Sequence, residues 1–172
     1  MADIVAKQLQ FINEFYKLSN ANKLKCLMSL KQLANYTAKG TQSQSVVLLD
    51  NFIIRKTLKQ DRFGYFLFKN EVKSLYKLTK VGNRAFAHTP RLLFIDYRRL
   101  TIYMTYCGEL ITRATLPDNW KTQLEEIQHI YTLADVNPND FLLKNICVLD
   151  NRIYVIDYGL DTLFRKSINE SM

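Results

Sequence analysis

Glycine and proline are scarce, five and three in 172 residues, so nothing marks a flexible linker cleanly, and no low-complexity tract or internal repeat is seen. The three cysteines, Cys26, Cys107 and Cys147, are an odd set without metal-ligand spacing. That excludes a disulfide framework and predicts free thiols in a reducing compartment. The two histidines, His88 and His129, stand apart from each other and from the cysteines, which leaves zinc without a site. No Gly-x-Ser-x-Gly is present, so a nucleophile-elbow hydrolase is excluded. The N-terminus lacks an apolar signal core and no apolar run is long enough to cross a bilayer, so a cytoplasmic protein is expected, in the cytosol or nucleus of whatever cell hosts it.

What the chain does have is apolar substance and positive charge. At 48% hydrophobic it can bury one core or two small ones sharing a cleft, and disorder is not expected. A net charge of +8 points to an acidic partner: nucleic acid, a membrane surface, nucleotide phosphates or an acidic protein. The charge is spread along the chain, which argues against specific nucleic-acid binding.

Hydrophobic period divides the chain into segments. Residues 4–17 repeat at helical spacing, and a second helix is expected over 21–36, with Asn20 as its cap and Leu24, Leu27, Met28, Leu30 and Leu33 inward. Strands are expected over 46–49 and 52–56 around an Asp50-Asn51 turn, and residues 63–68 read either as a third strand or as the lead-in to a helix over 71–79. Two more strands follow over 91–96 and 100–106, broken by Cys107-Gly108-Glu109. A helix capped by Asp118 then runs to about Leu133, with Trp120, Leu124, Ile127, Ile130 and Tyr131 inward. The class is α+β, in three parts: a helical hairpin over 1–38, a small antiparallel sheet with one helix over 39–107, and a helix with a terminal hairpin over 108–172.

The stretch 137–159 carries the chemistry. Residues 146–149 and 153–156 are short β-rich runs around Asp150-Asn151, a hairpin turn. Antiparallel pairing brings Asn145, before the first strand, beside Asp157, after the second; Asp140 lies just upstream. Two oxygen donors for Mg2+ and a separate carboxylate to orient a hydroxyl are what phosphoryl transfer needs. Asp135 is the second choice for that carboxylate.

Asp140-x-x-x-x-Asn145 followed by Asp157-Tyr158-Gly159 resembles the catalytic loop and Asp-Phe-Gly motif of the protein kinase superfamily. The resemblance spans about 40–159 and implies a two-lobed protein-kinase-like fold. Its small antiparallel-sheet N-lobe would precede a much reduced C-lobe, without an activation segment of normal length before Met172. It implies that Asp140 orients the acceptor hydroxyl, that Asn145 and Asp157 hold Mg2+, that Lys56 grips the ATP phosphates and that Glu71 positions Lys56. Arg55 is the alternative to Lys56, and Lys56 is preferred for sharing a face with Ile54. Gly40-x-Gln42-x-x-Ser45-x-Val47 occupies the spacing of the Gly-rich loop with only the first glycine kept, so Gly40 and Val47 would border the nucleotide. Met104 falls at the gatekeeper position and Thr105, Tyr106 and Cys107 at the hinge. Pro138-Asn139 replaces the usual His-Arg before the catalytic Asp. The implied function is transfer of the ATP γ-phosphate to a hydroxyl, of protein Ser/Thr in the first instance. A pseudokinase acting through a regulatory protein partner is the alternative, and a basic nucleic-acid-interacting protein, resting on charge alone, the further one.

Overall fold

The computed structural model describes residues 2–36, 43–137 and 143–159. The chain forms two compact units, 1–65 with 92–106 and 66–91 with 107–172. The α+β class holds: an antiparallel sheet occupies the first unit, and helices with a small second sheet the other.

In the first unit, α1 (Ala2–Phe15) and α2 (Asn20–Ser29) precede β1 (Gln32–Asn35), β2 (Ser43–Leu49) and β3 (Ile53–Leu58). β4 (Leu92–Asp96) and β5 (Thr101–Thr105) complete an antiparallel sheet in the order β1-β2-β3-β5-β4. Alternation gives each strand two faces. On one face Val47, Leu49, Ile53 and Tyr103 pack with Ile12 and Phe15 of α1 and Leu27 of α2, so the amphipathic helices are the cover of that face. Gln8 of α1 adds polar grip, its amide donating to the carbonyls of Phe52 at 3.0 Å and Tyr106 at 2.7 Å.

The expected second helix is too long. It ends at Ser29 because Leu30 turns extended, at ψ 141°, and the next residues pair as a strand with β2, Gln32 opposite Leu49. The chain is fixed there by Lys31, whose amide donates to the Asp50 carboxylate at 3.1 Å while its carbonyl accepts from Asp50 N–H. Met28 and Leu33 are accordingly exposed, not inward, and the cap is Ser19, whose hydroxyl accepts from Asn22 N–H. The other open reading resolves as helix: α3 (Arg62–Val81) starts well before Glu71, because the Asp61 carboxylate accepts from Gly64 N–H at 2.6 Å and caps it. The chain passes into the second unit after Tyr65, within this helix.

The second unit holds the rest of α3, then α4 (Asn83–Phe86), β6 (Glu109–Leu110), α5 (Trp120–Ala134), β7 (Ile146–Leu149) and β8 (Arg152–Val155), the strands in the order β6-β7-β8. α5 starts after Asn119, not after Asp118, and Asn119 makes no side-chain cap bond. Buried His88 holds β8: its Nδ1 faces the Ile153 carbonyl at 2.8 Å, an acceptor, so Nδ1 carries the proton, and its backbone carbonyl accepts from Val155 N–H. His88 Nε2 lies 3.4 Å from Glu126 of α5, which also meets Arg84 at 3.4 Å. Burial raises the Glu126 carboxyl, but the hydrogen bonds and charges of His88 and Arg84 outweigh it and hold the group below its usual 4.5. A depressed carboxylate stabilises the fold above its unfolded value and ceases to as pH falls through its folded one. Glu126→Gln should therefore flatten the fall in thermal midpoint below pH 4.5, and an unchanged acid limb would refute the pairing. Among the described residues no helix is long and apolar enough to cross a membrane.

Candidate active site

The β7–β8 hairpin forms as its turn chemistry requires. Asp150 and Asn151 both take positive φ, 54° and 60°, a conformation these two residue types tolerate, and Ile146 pairs with Val155. At the open end the Asn145 carbonyl accepts from Ile156 N–H at 2.8 Å, so Asn145 abuts the segment that enters Asp157. The backbone turns sharply there: Asp157 has φ 70° and is exposed. Positive φ outside glycine is uncommon and concentrates where a side chain is re-aimed.

The two residues that follow are seated firmly. Tyr158 is buried, its hydroxyl donating to the Val155 carbonyl at 2.9 Å and standing 3.0 Å from the Tyr131 hydroxyl of α5. Burial, then Tyr131 and further the Glu71 charge, push the Tyr158 phenol well above its ordinary value. It remains a neutral structural anchor. The Gly159 carbonyl accepts from the Asn70 amide of α3 at 3.3 Å, and a Cβ on Gly159 would rest 3.5 Å from Leu67. Asp157-Tyr158-Gly159 therefore runs along the turn of α3 that carries Glu71, a residue 1% exposed. Burial of that kind requires compensation by charge or hydrogen bonds.

In the first unit, Lys56 is buried in β3 and paired with Val46 and Ile102, while Ile54 is paired with Leu48 and Met104. Lys56, Ile54 and Met104 share a face. Val47, opposite Arg55, and Thr105, opposite Ile53, belong to the other face, and Val47 lies in the apolar core beneath α1 and α2. The structure thus separates Val47 from Lys56; the β2 residue on the Lys56 face is Val46. At the expected hinge, Tyr106 N–H donates to the Phe52 carbonyl at 2.9 Å and Tyr106 C=O accepts from Gln8, so both backbone groups are engaged. Cys107 is buried, and Gly108, at φ 91°, turns the chain into β6. Burial, with Glu109 adding, pushes the Cys147 thiol opposite β6 up to about 12, which keeps it unreactive.

Gly40 and Asp140 lie outside the described residues. Asp135 does not join Asn145: it ends α5 at φ 49°, exposed, with its carboxylate 2.6 Å from Lys77, whose hydrogen bond holds it below the usual range. Among the described residues no group of three or more His, Cys, Asp or Glu is placed to hold a metal. Asn145 and Asp157 nevertheless offer hard oxygens at one hairpin base, the donor type Mg2+ takes when waters and phosphates complete its shell.

A positioning residue was not legible beforehand. Gln123, buried on α5, donates to the Asn151 carbonyl at 3.0 Å and accepts from Ile153 N–H at 2.8 Å, tying the helix to the hairpin turn. A polar residue amid Trp120, Leu124 and Ile127 gives no periodic signal; its position one residue before Leu124 is the only hint. Gln123→Leu leaves the buried Ile153 N–H without its acceptor and should cost about 1–3 kcal/mol in urea unfolding. A loss below about 0.5 kcal/mol would mean the tie is not made.

No protein-family model and no curated protein matches the chain. Among solved structures it is similar to the streptomycin-ATP-APH(2")-IIa ternary complex, at 16% identity and a TM-score of 0.48, over 81% of this chain and 69% of that one.

Proposed function

We propose that the chain is a kinase-like phosphotransferase that moves the γ-phosphate of ATP to a hydroxyl, with protein Ser/Thr as the favoured acceptor. The observation that carries this reading is the base of the β7–β8 hairpin, where Asn145 abuts the entry to an exposed, positive-φ Asp157, with Tyr158 and Gly159 seated along the helix of Glu71. In this reading Asn145 and Asp157 hold Mg2+, which when bound offsets charge on the phosphates. Lys56 grips those phosphates, Glu71 orients Lys56, and Asp140 aligns the acceptor hydroxyl and takes its proton as the phosphoryl group departs. Met104, Val46 and the backbone of Thr105 and Cys107 border the base. The sheet-bearing part over 39–107 is the N-lobe and 108–172 the reduced C-lobe. A pseudokinase that acts through a protein partner is the second reading, favoured by the engaged backbone of Tyr106.

The test is Mg2+-dependent ATP binding and turnover by the wild type beside Asp157 variants. Turnover that the variants lose supports the enzyme; binding without turnover supports the pseudokinase; absence of binding removes both.

A further inference from the structure

The sheet face that α1 and α2 cover changes character along its strands. Where Leu49 and Ile53 are apolar, the same face continues in β3 as Arg55 and Thr57 and in β5 as Thr101. There an open cavity of about 410 Å3 is lined by Arg55, Arg98, Arg99, Thr57, Thr101 and Tyr103, among others. The volume is that of a small-ligand site.

The wall is built, not merely charged. Arg98 and Arg99 are delivered by the β4–β5 turn, which Asp96 fixes by accepting their backbone N–H groups at 3.0 and 3.3 Å. Leu100, buried at φ 47°, closes that turn. The floor is a hydroxyl pair, Thr57 and Thr101 at 2.9 Å, with Thr101 donating onward to the Arg99 carbonyl at 3.1 Å. Tyr103 is 4% exposed and its phenol accepts from Arg55, which leaves its own proton to donate. Burial raises the Tyr103 phenol, while the Arg55 and Arg99 charges oppose that and Asp96 adds to it; Arg55 hydrogen-bonds the hydroxyl and Arg99 acts on it through its charge. A carboxylate, that of Asp96, lies 3.8 Å from Arg99. Three guanidiniums against it leave a positive excess suited to a dianion.

We propose that this cavity binds the phosphate group of a small soluble molecule, held by Arg55, Arg98 and Arg99 with the Tyr103 hydroxyl as a further donor. Planar guanidiniums match phosphate oxygens in pairs, which a solvated lysine surface does not. The site lies within the first unit, on the face opposite Lys56, so it does not rest on the phosphotransferase reading.

The experiment is a titration of the full chain with inorganic pyrophosphate, followed by amide NMR shifts. Saturable shifts at Arg55, Thr57 and residues 98–101 are expected, with affinity falling about ten-fold or more in Arg98→Ala/Arg99→Ala. The Lys double variant at the same positions should recover part of it. Lys73→Ala/Lys80→Ala removes equal charge from exposed positions on α3 and should leave affinity within about two-fold. Shifts confined elsewhere, no saturation, or an equal loss in the α3 variant would overturn the proposal. Should the Ala pair unfold, Arg98→Gln on its exposed side chain reads the same contact, and undiminished binding there would also overturn it.

Discussion

On the phosphotransferase reading, Asp157→Asn should lower Mg2+-dependent ATP turnover about a hundred- to a thousand-fold while leaving the thermal midpoint unchanged, and Asp157→Ala should lower it as far with an added loss of stability, a difference set by the backbone at that residue. Asp157 sits at φ 70°, a region Asn and Asp tolerate better than other residues with a Cβ. Alanine should therefore cost about 1 kcal/mol in folding, whereas asparagine keeps the conformation and removes only the charge. Loss of one preorganised charged group at the proposed phosphoryl-transfer site accounts for a fall in kcat of about a hundred- to a thousand-fold. Asp135→Asn is the matched control, since that carboxylate is exposed and paired with Lys77. Wild-type turnover retained in Asp157→Asn, or lost in Asp135→Asn, would remove the assignment.

The second large effect is on stability. Gly108→Ala should lower unfolding free energy by about 3 kcal/mol or more, because two penalties coincide. Its φ of 91° disfavours any side chain, and a Cβ would run into the Val148 carbonyl and stand 2.9 Å from Leu149 Cβ. β6 can leave the buried Cys107 and pair Leu110 with Cys147 only because nothing projects at Gly108. Gly82 isolates one penalty: its φ is 81°, yet a Cβ there meets nothing within 4 Å. Gly82→Ala should cost about 1–2 kcal/mol, from conformation alone. Urea unfolding of both variants decides the matter, and equal losses would show that the clash at Val148 is relieved by movement of β7.

The features legible in the residues were those set by local chemistry. Asp150-Asn151 between two β-rich runs specified its hairpin, and with it the meeting of Asn145 and the approach to Asp157. Features set by partners distant in sequence were not. Residues 32–35 carry no pattern against helix; they become β1 because Leu49 and Asp50 lie opposite. The start of α3 turned on one capping carboxylate, Asp61, ahead of an aromatic run that suits either state. Val47 was assigned to the nucleotide by its spacing from Gly40, but a side chain's face follows from register, and the pairing with Arg55 sends it under α1. Arg98 and Arg99 were read as turn residues, which they are; their convergence with Arg55 depends on β3 lying beside β5.

The first unit is discontinuous, its last two strands arriving after the segment 66–91. β3 pairs with β5 across that interval, and α1 reaches across the whole of it, from Gln8 to the Tyr106 carbonyl. During synthesis, then, the N-terminal helices emerge first but cannot complete their seat until Tyr106 has left the ribosome. Contacts of such long sequence separation form late and slowly. Until then the apolar faces of Ile12 and Phe15 have no complete seat, and apolar surface left uncovered over that interval favours aggregation.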